Sequence, residues 1–238
     1  MLAERDILIQ FFDRADRRGL VLPDDSQDLR KNLSILNSER GDQFVGIYEE
    51  WNSTTNALSL AALAQHYGLP TRLLDWTRKA YIGAYFAAES YAFPDPPCDP
   101  SASASESMVV WAFYYPLMGK QDFVSQPNNP VRIVTAPSAT NPNLKAQQGV
   151  FTIMNPECTK ERVQDYLPME QVLAELERNP NHKVQGCKLQ KFTLPTAEAL
   201  SLLQMLAKLD LTPSTVYPGY RSVGEDIRMQ AMFGKEGL

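Results

Sequence analysis

Apolar residues recur at helical spacing through the first ninety residues of this chain and at strand spacing only after them. That segregation constrains the fold more than any other feature. Ile7, Leu8, Phe11, Phe12 and Ala15 line one face of a helix over residues 3–18, which Gly19 ends. Leu29, Leu33 and Leu36 predict a second helix over residues 26–36. Further helical segments follow at 44–51 and 55–67, the latter with Leu58, Ala61, Ala62 and Ala64 small enough for close packing. Gly68-Leu69-Pro70 stops that helix, because Gly accepts the positive φ of a C-cap and Pro cannot continue the ladder. A fifth helix over 78–90 has Ala80, Ala84, Ala87 and Ala88 as its small face and Tyr81, Tyr85 and Phe86 as its bulk.

Residues 93–107 read FPDPPCDPSASASES, with too little apolar area to offset chain ordering, and predict a flexible Pro/Ser-rich excursion. The continuous apolar run 108–115, with Val109 and Val110, reads as a central strand. Shorter strands are expected at 131–135, 149–154 and 188–193, the first two separated by the polar loop PSATNPNLKA. Residues 161–178 read as a helix within an insertion at about 157–181. Thr196 reads as the N-cap of a helix with Ala199, Leu202, Leu203, Leu206 and Leu209 inward, and a short terminal helix follows Pro218-Gly219. Nothing alternates as βαβα, and no G-x-G-x-x-G follows a strand, so a doubly wound fold is disfavoured. The expectation is a single α+β domain over 1–238, its helical N-terminal part packed on a mixed, mostly antiparallel small β-sheet.

Composition narrows the function. With 44% hydrophobic residues in 238, the chain can bury a sizeable core. Its 23 Lys+Arg against 28 Asp+Glu give a net charge of -5, which speaks against nucleic acid as a partner, since phosphate binding is driven by clustered cations. No apolar run reaches the length of a membrane span, and MLAERDILIQ places charges where a signal peptide needs apolar residues, so a cytoplasmic protein without a membrane partner is expected. Cys98, Cys158 and Cys187 form no C-x-x-C pair, and His66 and His182 are too far apart for a metal-binding face, so no metal site is expected.

The densest cluster of polar and aromatic residues is Gln65-His66-Tyr67-Gly68-Leu69-Pro70-Thr71-Arg72-Leu73-Leu74-Asp75-Trp76-Thr77. Donors and aromatic faces concentrated on one turn are typical of ligand sites. Each residue also has a plainer role. His66 can sit against a helix C-terminal dipole, Asp75 can cap the next helix, Arg72 can pair with Asp75, and Tyr67 and Trp76 can be core aromatics.

QHYGLPTRLLDWT followed by the AYFAAES helix resembles the signature of the FRG domain family. A second family landmark, an Arg-bearing strand followed by A-Q-x-G-x-F, resembles Val131-Arg132-Ile133 and Ala146-Gln147-Gln148-Gly149-Val150-Phe151. The family's N-terminal Phe-Arg-Gly strand has no counterpart here, which implies that it lies upstream of Met1 or has been lost.

The three-part layout that the resemblance implies is similar to that of ADP-ribosyltransferase-like NAD-binding folds, a fold-level analogy. On that analogy NAD or another nucleotide is the expected ligand, with metal-free chemistry at its N-glycosidic bond. Arg72 and Arg132 would clamp the pyrophosphate, and Tyr67 or Trp76 would stack on nicotinamide. Gln65, Thr71, Asp75 and Gln148 would add polar contacts. Gln147 would orient the ribose or acceptor, and His66 would act as acid or base. A Gln is a weaker partner than a Glu for a developing cation, which lowers the expected rate. The competing readings are a non-catalytic module that holds a small molecule or protein partner, and a purely architectural turn.

Overall fold

The computed structural model describes residues 2–36, 55–92, 106–115, 131–138, 141–154, 168–178 and 188–233. In these the chain is α+β and divides into two compact units. Unit 1 comprises Met1–Asp75, Gly119–Asn141 and Val150–Glu161, and unit 2 comprises Trp76–Met118, Pro142–Gly149 and Arg162–Leu238. The helix expected over 44–51, the excursion over 93–105, and the parts of the 157–181 insertion outside 168–178 lie outside the described residues.

In unit 1, α1 (Leu2–Arg17) packs against α3 (Thr55–His66), and α2 (Gln27–Leu36) lies between them in sequence. The predicted stripe of α1 is buried at Leu8, Phe12 and Ala15, together with Ile9, while Ile7 and Phe11 are only partly covered. Ser26 caps α2 by accepting from the Leu29 amide at 3.1 Å. Helix α3 is buried on more than one face, since Ala57, Leu58, Ser59, Leu60, Ala61 and Ala62 are all inside. The buried Ser59 hydroxyl is satisfied, its Oγ donating to Asp24 Oδ2 at 2.6 Å. The three-stranded sheet has the order β1-β4-β3, where β1 is Leu74–Thr77, β3 Val131–Val134 and β4 Gly149–Met154. Strands β3 and β4 are antiparallel, with Val131 opposite Met154 and Val134 opposite Phe151. Phe151, Thr152 and Ile153 are buried in succession, as a strand covered on both faces requires.

In unit 2, α4 (Ala80–Ala92) packs on α7 (Ala199–Ala207), and Tyr85, Ala88, Met108, Ala199, Leu203, Leu206 and Val216 form the core. The 107–114 run is strand β2 (Ser107–Tyr114), and among the described residues it is not central. It pairs antiparallel with β5 (Lys188–Pro195) in a separate two-stranded sheet, Ser107 opposite Pro195 and Tyr114 opposite Lys188. Its aromatic residues gave it the look of a buried strand. They are covered unevenly instead, since Met108 is buried whereas Trp111 and Tyr114 are exposed.

Three other expectations change. The polar stretch 137–146 runs into a short helix, α5 (Pro142–Gln147), where Pro142 sits at the first helical position that its fixed φ suits. Thr196 is not an N-cap: it begins a 3-10 turn, Thr196–Glu198, and its N–H donates to the Glu106 carbonyl at 3.1 Å. Leu209 is not inward, because α7 ends at Ala207 and Asp210 turns the chain at φ 61, leaving Leu209 58% exposed. Helix α6 (Met169–Arg178) buries Met169 and Leu173, and α8 (Pro213–Val216) and α9 (Tyr220–Phe233) close the unit. No helix of the described residues is long and apolar enough to cross a membrane.

Candidate functional site

The cluster noted in the sequence begins where α3 ends. Gly68, at φ 82, is the C′ residue of a Schellman turn: its N–H donates to the Gln65 carbonyl at 2.9 Å, and that of Leu69 reaches the Ala64 carbonyl at 3.0 Å. The turn leads into β1, so Asp75 is a strand residue and caps no helix. Three predicted residues meet inside unit 1. Thr71 Oγ1 donates to Gln65 Oε1, Gln65 Nε2 donates to Asp75 Oδ2 at 2.6 Å, and the Leu73 amide donates to Thr71 Oγ1 at 3.2 Å. Burial pushes the Asp75 carboxyl up from its ordinary value, against the pull of the Gln65 amide and the His66 charge. Asp75 keeps enough contact with solvent for that shift to be screened in part.

Arg72 pairs with Glu4 of α1, not with Asp75. Its backbone N–H donates to Glu4 Oε1 at 2.8 Å, its Nε donates to Glu4 Oε2, and the two side chains are only 17% and 12% exposed. His66 and Tyr67 are exposed, their rings edge to face with centroids 5.2 Å apart. Arg132 stands in β3 opposite Ile153.

The remaining predicted residues belong to unit 2. Trp76 is partly buried, its ring tilted against Phe113 with centroids 5.7 Å apart. Gln147 ends α5, with its Nε2 donating to the Val216 carbonyl at 3.3 Å and its own carbonyl accepting from Thr77 Oγ1 at 2.7 Å. Gln148 is exposed at φ 48, and its carbonyl accepts from the Arg78 amide at 3.2 Å. Thr77 also accepts from the Lys79 amide at 3.0 Å, just ahead of α4.

The family model of the FRG domain matches residues 12–95. This stretch is an FRG domain. The match covers α1 from Phe12 through α4, and so contains the whole QHYGLPTRLLDWT turn and the AYFAAES helix. No curated protein and no solved structure matches the chain.

Two ionisable groups escaped the sequence reading. Glu4, just ahead of the matched stretch, is the partner of Arg72, and its only signal was its place on α1. Glu89, on α4, accepts from Tyr85 Oη at 3.3 Å and from Tyr217 Oη at 2.8 Å. Burial pushes the Glu89 carboxyl up, the two phenols pull it down, and Glu225 adds to the rise. Both phenols are themselves pushed well above the ordinary tyrosine range, first by burial and then by Glu89. The spacing of Tyr85 and Glu89 at i and i+4 puts both on one helix face, a signal that the apolar run of AYFAAES hides. Among the described residues no group of His, Cys, Asp and Glu is placed to hold a metal ion.

Proposed function

We propose that the FRG domain of this chain is a non-catalytic binding or interaction module in which the turn over residues 65–77 is architectural. The Arg72–Glu4 pair carries this reading. A guanidinium whose Nε is committed to a largely buried carboxylate is poorly placed to clamp a pyrophosphate, and the carboxylate itself repels one. Gln147 supports the same reading, because its amide ties α5 to the Val216 carbonyl. The Thr71-Gln65-Asp75 chain likewise spends its donors within the turn.

The test is a thermal melt of the parent and of Arg72→Ala, each with and without millimolar NAD or ADP-ribose. The expected result is no ligand shift in the parent, and a loss of roughly 2 kcal/mol of stability in Arg72→Ala, because Glu4 is left largely buried without its cation. A parent melting point that rises with NAD, with the rise lost in an Arg72→Ala variant of unchanged unliganded stability, overturns the reading.

A second reading places an NAD or nucleotide site here, with metal-free ADP-ribosyltransferase-like chemistry. The observation favouring it is the ring pair at the end of α3, where Tyr67 is 69% exposed and offers a face on which a nicotinamide or adenine could stack. It requires nicotinamide release from NAD that Tyr67→Ala and His66→Ala both diminish. Absence of release from the parent removes it.

A further inference from the structure

We draw no further inference here: the strongest candidate, the face of the β2–β5 ribbon in unit 2 on which Lys191 Nζ lies 5.7 Å from the centroid of the exposed Trp111 ring, carries nothing, because nothing in the described residues shows what covers it.

Discussion

Glu89 and Asp75 are both pushed up by burial, but only Glu89 has two phenols to offset the cost. A carboxyl whose folded value lies above its unfolded one favours the folded state at pH below the unfolded value, and that advantage is lost as pH rises through the folded value. For Glu89 the ordinary value is 4.5. Glu89→Gln abolishes this titration, so the stability of the variant relative to the parent should climb as pH is raised from about 4 towards neutrality. Urea unfolding at several pH values reads this directly. A constant difference between the two proteins would show that Glu89 has the same proton affinity folded and unfolded. Asp16 is the opposite case, since hydrogen bonding from Arg30 holds its carboxyl below the ordinary value, and the solvent around this surface pair makes it a weak support.

Two glycines that look alike in the sequence act differently in their elements. Gly68 ends α3 at φ 82 with open space around it, so Gly68→Ala meets only the backbone cost of that conformation, about 1 kcal/mol. Gly149 begins β4 without a positive φ, but a Cβ there would overlap the Leu144 side chain of α5. Gly149→Ala should therefore cost roughly 1–3 kcal/mol by overpacking. Adding Leu144→Ala should recover part of that loss, whereas the same second substitution gives Gly68→Ala nothing. Equilibrium unfolding of the four variants separates the two causes. Gly149 thus has a physical reason in this chain, namely the close approach of β4 to Leu144 of α5.

At the scale of the whole molecule, most of the apolar pattern becomes core, but periodicity does not mark where an element stops. Leu203 is fully buried among Tyr85, Leu206 and Val216, so Leu203→Ala should cost about 2–5 kcal/mol. Leu209→Ala should stay within about 0.5 kcal/mol, because α7 has ended before it. Chemical denaturation of the two variants checks the contrast. Equal losses would mean that Leu209 is covered in solution, as it would be under a partner. Ile227 of α9 follows the same logic, since it is as apolar as a core residue and only the packing of Met229 on the other face reveals that it points away.

The sequence by itself determined helices α1, α2, α3 and α4, the stop at Gly68-Leu69-Pro70, strands β3 and β4, and the α+β class, because each follows from local periodicity or from what Gly and Pro allow. Residues 12–95 were legible as an FRG domain for a similar reason, since the signature turn is continuous in sequence. Only the tertiary structure decided partnership. It gave Arg72 to Glu4, 68 residues away, and Glu89 to Tyr217, 128 residues away. It turned Leu74–Thr77 into a strand, and it put β2 into a two-stranded sheet. A charge, a phenol or an exposed aromatic shows its chemistry in the sequence, but which group satisfies it depends on distances that chain order does not encode.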